Sequence, residues 1–165
     1  MNDFTSDDAF QRHQRDTILV PQFYDRYFFE RYRLLDGQMD YQHRGIDTLI
    51  FTGTGAVTHV EEKFTRKAHT AFACETIGCT IPGRERPGYM AYSEAERLLY
   101  CFAIETGLDC WWIDMPALQA WFWPREPDFP PFQMETRNRT FGRVVNITVI
   151  PAEILIRNFQ LRLPP

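Results

Sequence analysis

The sequence has no excess of positive charge: 18 Lys and Arg stand against 22 Asp and Glu, for a formal net charge of -4. Holding nucleic acid by bulk electrostatics needs many cationic contacts to phosphate, so any such contact here must be local. Apolar runs of about 18 residues, the length a membrane-spanning helix needs, are missing, as is a secretory-type apolar segment near Met1. These absences lead to the expectation of a cytoplasmic protein with no membrane partner. Cysteine is scarce. Cys74, Cys79, Cys101 and Cys110 stand in or beside apolar runs, which reads as reduced, buried thiols rather than a disulfide framework. His59, His69, Cys74 and Cys79 lack the paired-knuckle spacing of a structural zinc, and no histidine base is placed by the sequence near any one thiol. Internal repeats, helix-turn-helix patterns, zinc fingers and basic tracts are also missing, so nothing appended to the domain would set a substrate specificity.

What is present fits one domain over residues 1–165, within the ~100–200 residues of a single core. Hydrophobic residues make up 44% and charged residues 24% of the chain, a globular mixture. Aromatics, at 15%, concentrate in 23–32, 89–102 and 111–123, which become the candidate core. Residues 1–16 show no sustained apolar periodicity and read as a loose arm or short irregular helix. From Pro21, apolar residues at spacings of three and four predict a helix that Asp36-Gly37 ends. Residues 46–52 and 57–64, separated by Gly53-Thr54-Gly55, predict a β-hairpin. Further strands are expected at 71–77, 98–105, 110–114 and 144–150, with helices at 115–122 and 151–156 and a proline-rich surface loop at 124–131. The order points to an α/β fold with a single mixed sheet flanked by helices.

The chemistry sits on the hairpin. Asp47 opens its first strand, and the second carries Glu61, Glu62 and Lys63. Residues two apart share a strand face, so Glu61 and Lys63 project together, Glu62 projects oppositely, and pairing brings Asp47 toward Glu61. Two carboxylates are hard oxygen ligands suited to Mg²⁺, and an adjacent ammonium offsets their repulsion. The bland alternative is that these charges are the solvated face of an edge strand, where they suppress aggregation.

Asp47 followed by Glu61-x-Lys63 resembles the PD-(D/E)-x-K signature of restriction-endonuclease-like nucleases. With Glu75 and the segment from Gly88-Tyr89-Met90 through Ser93-Glu94-Ala95-Glu96-Arg97-Leu98-Leu99-Tyr100, the chain is similar to small phage or mobile-element members over roughly residues 20–150. The resemblance implies a restriction-endonuclease-like core, dependence on Mg²⁺ or Mn²⁺, and hydrolysis of phosphodiester bonds in DNA. It makes Asp47 and Glu61 the metal ligands and Lys63 the third catalytic residue. Two departures stand out: Ile46 replaces the proline of the signature, and Glu62 stands where an apolar residue is usual.

Glu62, Glu75 and Glu30 are additional candidates for the site. Arg66, Lys67, Arg84 and Arg86 are candidate phosphate contacts, with solvated loop charge as the plain alternative. His43 and Arg44 carry the same two readings, and one or two Trp from 111–112 and 121–123 are candidates for stacking on bases or forming a partner surface. Two other functional readings accompany the nuclease. One is a catalytically inactive nucleic-acid-binding or protein-interaction module of the same fold, and the other is a homodimer built on exposed aromatics.

Overall fold

The computed structural model describes residues 4–66, 70–81, 84–134 and 140–163. Helix α1 (Phe4–Gln14) runs on through a π-helical stretch (Arg15–Tyr24) into α2 (Asp25–Phe28). The helix thus starts well before Pro21 and stops well before Gly37. Its buried residues explain the misplaced boundary: Ile18 and Leu19 recur as Phe23 and Tyr24, a spacing of five that belongs to the wider π turn and escapes a 3.6-residue template. Pro21 lies inside this stretch, where a looser turn absorbs the missing amide donor. After α2 the chain breaks at Glu30, which takes φ +55°, and 32–34 forms a strand rather than more helix.

Six strands make a mixed sheet: β1 (Tyr32–Leu34), β2 (Thr48–Phe51), β3 (Val57–Thr65), β6 (Arg97–Ile104), β7 (Gly107–Asp114) and β10 (Leu155–Arg162), in the order β1-β2-β3-β6-β7-β10. Neighbours are antiparallel except β3 and β6, which run parallel. The hairpin predicted from Gly53-Thr54-Gly55 is the β2–β3 pair, with Thr48 opposite Val60. A second, antiparallel sheet is formed by β4 (Ala71–Ile81), β5 (Arg84–Pro87), β8 (Pro131–Met134) and β9 (Thr140–Asn146) in the order β5-β4-β9-β8. The strands are therefore divided between two sheets instead of lying in one. Residues 147–149 form a 3₁₀ turn, and the helix expected at 151–156 is instead a turn that leads into strand β10. Half-buried Phe159 and buried Leu161 pack on the face of the amino-terminal helix, while Leu155, before a bulge in the strand, packs on the opposite face, so no single apolar period runs through the segment and Pro151 reads as a helix start.

Short helices α3 (Met39–Gln42) and α4 (Tyr89–Tyr92) and the longer α5 (Met115–Phe122) complete the fold. Asp114 caps α5 by accepting the Ala117 amide at 3.0 Å. The six-stranded sheet is buried on both faces, which explains the nearly continuous apolar run of β6. On one face Leu99 and Cys101 pack with Ile18, Leu19, Phe23 and Tyr24 of the amino-terminal helix. On the other, Leu98, Tyr100 and Phe102 pack with Phe72 and Cys74 of β4, Tyr89 and Met90 of α4, and Leu118 and Phe122 of α5. Cys74, Cys101 and Cys110 are free and buried, as read from sequence. No helix among the described residues is long and apolar enough to cross a membrane.

The β6–β7 turn depends on Gly107, which takes φ +147°, a conformation open to glycine; a Cβ there would sit 1.9 Å from the Leu161 carbonyl oxygen. Gly107→Ala is expected to destabilise the protein by about 2 kcal/mol or more in urea unfolding. An unchanged midpoint would mean that β10 does not close on this turn.

Candidate functional site

Residue by residue, the site grows out of the β2–β3 hairpin. The Asp47 amide donates to the Val60 carbonyl at 2.8 Å, extending the ladder one residue beyond β2. Its carboxylate Oδ2 accepts the Glu62 amide at 2.7 Å. Asp47 is thereby tied by backbone and side chain to the segment that carries Glu61. β3 lies between β2 and β6, an interior position, so Glu61 to Lys63 do not form the solvated face of an edge strand.

Alternation along β3 divides its charged residues as the strand period requires. Glu61 is 1% exposed, and its Oε1 lies 2.7 Å from the Lys63 ammonium. The Lys63 ammonium and the Ser93 hydroxyl both favour the charged carboxylate by hydrogen bonding, yet neither is well aligned on an oxygen, and two carboxylate oxygens have room for more donors than these, so acceptor capacity is left over. Burial pushes the Glu61 carboxyl up, Lys63 counters it, and Asp47 adds to the rise. Burial works against the Lys63 charge, but Glu61, Glu75, Tyr92 and Asp47 together hold its pKa well above the ordinary lysine range. The Lys63 ammonium also stands 5.0 Å from the centre of the Tyr89 ring, a cation–π distance. Glu75 approaches from β4 in the second sheet; burial raises its pKa and the charge of Lys63 lowers it.

The other face of β3 holds Glu62. Its Oε1 accepts from Tyr24 Oη at 2.5 Å and from Thr48 Oγ1 at 2.7 Å, and Oε2 lies 4.0 Å from Arg15. Arg15 is itself bonded to Asp36. A 230 Å³ cavity opens beside this network, lined by Gln11, Arg12, Arg15, Asp36, Gln42, Asp47, Glu62 and Phe64. Asp47 belongs to both surroundings: it borders this cavity, and its charge acts on Glu61 and Lys63.

The backing comes from two loops whose contact with each other the sequence does not indicate. Gly45 takes φ +65°, and a Cβ there would lie 2.9 Å from Ser93 Oγ and 3.0 Å from Glu61 Oε2. Ser93 donates to the Gly45 carbonyl at 3.1 Å, and Arg44 pairs with Glu94 at 2.7 Å, so the loop before Asp47 is clamped to the end of α4. Tyr24, Arg15 and Tyr92 do not stand out in the sequence, because aromatic stretches read as core and residues 1–16 as a loose arm or short irregular helix; Tyr89 and Ser93 stand in the segment that carries the resemblance, but without a role of their own. The clue available was the polar tip that each buried Tyr must satisfy.

Other candidates are dispersed. Glu30 is exposed beyond the end of α2. Arg66 is exposed at the end of β3, with its guanidinium 4.5 Å from the Phe10 ring centre. Arg84 and Arg86 lie on β5, the outer strand of the second sheet, with Arg86 exposed. Lys67 and His69 lie outside the described residues. His43 is exposed, and His59 faces Glu96 at 3.0 Å. Cys74 is buried in the core, its thiol pushed up to about 12 chiefly by that burial. Trp112 packs on Phe23, and Trp123, although 42% exposed, donates its indole N–H to the Met90 carbonyl. Among the described residues no three His, Cys, Asp or Glu side chains form a group arranged to hold a metal ion. Comparison with protein-family models, curated proteins and solved structures finds no match.

Burial first, and then the charge of Asp47, push Glu62 up to about 7 from an ordinary 4.5. The folded protein therefore keeps a proton that the unfolded chain releases, and stability falls as pH rises between those two values and then levels off. Glu62→Gln keeps an oxygen acceptor for Tyr24 and Thr48. In metal-free protein it is expected to stabilise more at pH 8 than at pH 5, by on the order of 1–3 kcal/mol, read from melting curves. An equal effect at both pH values would contradict this. Gly45→Ala is expected to lower stability by about 1–3 kcal/mol, since the position is left-handed and Ser93 and Glu61 leave no room. A crystal structure of that variant with Ser93 and Glu61 unmoved would contradict it.

Proposed function

We propose that the chain is a metal-dependent nuclease-like phosphodiesterase acting on DNA, on a restriction-endonuclease-like core, with Asp47, Glu61 and Lys63 as its catalytic residues. The observation that supports this best is the state of Glu61: a buried carboxylate with unused acceptor capacity, beside an ammonium and across a hairpin from a second carboxylate. Such a pair of hard anionic oxygens fits Mg²⁺ or Mn²⁺, which one or two protein carboxylates usually hold. Asp47 and Glu61 would hold the ion, which when bound polarises the phosphate and acidifies a water.

The chain's own groups then have distinct tasks. Lys63, held charged by Glu61 and Glu75, orients the attacking water and stabilises negative charge on the phosphate oxygens. Water oxygen bonds to phosphorus and releases a proton to solvent, the phosphorus–oxygen ester bond breaks, and the departing alkoxide takes a proton from solvent. The Asp47 contact with the Glu62 amide keeps the first carboxylate in place before any ion arrives, which limits the reorganisation needed on binding. Glu75 is a candidate further ligand or a partner that keeps Lys63 in position. With a net charge of -4, the protein must grip DNA through local cations, of which Arg66, Lys67, Arg84 and Arg86 are the proposed set.

Purified protein is expected to cleave single-stranded, duplex or branched DNA with Mg²⁺ or Mn²⁺ and not with EDTA. Asp47→Asn, which keeps an acceptor for the Glu62 amide, and Lys63→Met should each lower the rate by about 100-fold or more while circular dichroism stays unchanged. Asp47→Asn should also weaken Mn²⁺ binding by calorimetry. Failure of the unmodified protein to cleave any of the three substrates, with oligonucleotide binding retained, would replace this reading with that of a catalytically inactive binding module.

A further inference from the structure

We propose that Tyr92 is a further catalytic residue of this site, whose phenol hydroxyl donates a hydrogen bond to a non-bridging oxygen of the phosphodiester being cleaved. The proposal rests on the nuclease reading of Asp47, Glu61 and Lys63 and extends it to a group that no part of the sequence motif specifies. Three observations on α4 carry it. First, the helix is anchored beside the ion pair at both of its ends. Tyr89 at its start lies 5.0 Å from the Lys63 ammonium, and Ser93 just past its end bonds to Gly45, whose absent Cβ would fall 3.0 Å from Glu61 Oε2.

Second, Tyr92 follows Tyr89 by three residues, so the two rings share a helix face and Tyr92 is carried to the same side as Lys63. Third, the two tyrosines differ in what their oxygens do. The Tyr89 hydroxyl is spent on the Ala73 carbonyl at 2.9 Å and its ring is fully buried. Tyr92 is half-buried, and among the described residues its hydroxyl makes no hydrogen bond. A half-buried phenol whose hydroxyl is not committed to a protein acceptor is open to solvent and hence to a ligand that replaces it. The charges of Lys63, Glu61, Asp47 and Glu75 all act on this phenol, which is consistent with its standing over the cluster.

The chemistry suits the position. A neutral O–H donor placed where negative charge grows on phosphate oxygens stabilises the transition state without adding a cation to a site that already holds Lys63. A phosphodiester is the substrate class such a donor serves, because its non-bridging oxygens are acceptors only.

The test is steady-state cleavage of a DNA oligonucleotide in Mn²⁺ by the full chain, by Tyr92→Phe, which removes one oxygen, and by Lys63→Met. Tyr92→Phe is expected to lower kcat about 10- to 100-fold with KM nearly unchanged, while Mn²⁺ affinity and melting temperature stay at the values of the unmodified protein. Wild-type kcat in Tyr92→Phe, with Lys63→Met inactive, would overturn the role of Tyr92 and leave the nuclease reading standing. A fall in kcat accompanied by an equal fall in Mn²⁺ affinity or a lowered melting temperature would also overturn it, since the residue would then be supporting the site rather than touching substrate. Undiminished cleavage by Lys63→Met, or no cleavage by the unmodified chain, would overturn both readings together.

Discussion

Strand alternation sends Glu61 and Glu62 to opposite faces of an interior strand, and each buried carboxylate has to be met by groups brought from elsewhere in the chain. Much of the architecture around β3 can be understood as meeting that demand. On the Glu62 side, the amino-terminal helix supplies the Tyr24 hydroxyl and the Arg15 charge, and β2 supplies Thr48. On the Glu61 side, Lys63 comes from the same strand, while α4 and β4 enclose the pair with Tyr89 and Glu75. The two sides are satisfied to different degrees. Glu62 is bonded to two hydroxyls; Glu61 is neutralised by one ammonium yet keeps unused acceptor capacity. That asymmetry supports the proposal, first drawn from strand alternation, that Glu61 rather than Glu62 takes part in chemistry. A buried carboxylate oxygen short of donors costs about 1–3 kcal/mol, which a bound ligand at Glu61 would offset.

The hairpin and its alternation were legible because they follow from local rules: a Gly-rich turn between two β-branched runs, and a period of two that separates Glu61 and Lys63 from Glu62. The helix Met115–Phe122 was legible for the same reason, with Pro116 in its first turn and Leu118 and Phe122 facing inward. What failed were features whose signal is not local. Five-residue spacing in the π stretch matches no standard template, so a 3.6-residue reading starts the helix at Pro21 and leaves Arg15 in a segment read as a loose arm or short irregular helix. The strand 155–162 carries Asn158 and Gln160 on one side and Arg157 beside Phe159 on the other, and a bulge shifts its faces after Leu155, so its apolar side is legible only once β7 is known to lie beside it. Division of the strands into two sheets also depends on long-range pairing, such as Ala73 opposite Val144, which no window of sequence contains.

At the site, the residue types that carry charge were visible, but the groups that hold them were not. Gly45 and Ser93 look like ordinary loop residues, and their importance comes from a close approach between segments 48 positions apart. The cation candidates illustrate the converse: Arg84 and Arg86 read as loop charges near a motif, whereas they belong to an outer strand of a separate sheet.

The parallel pairing of β3 with β6 sets the order in which the molecule can be assembled. An antiparallel hairpin such as β2–β3 closes over a few residues, but Thr65 and Arg97 are separated by β4, β5 and α4, and that whole excursion must return before the parallel ladder can zip. Contacts of such long sequence separation form late and slow the folding of domains that rely on them. The nascent chain would thus expose two uncovered glutamates on a strand with an open edge until the last of these segments docks, a period in which pairing with a second chain competes with closure.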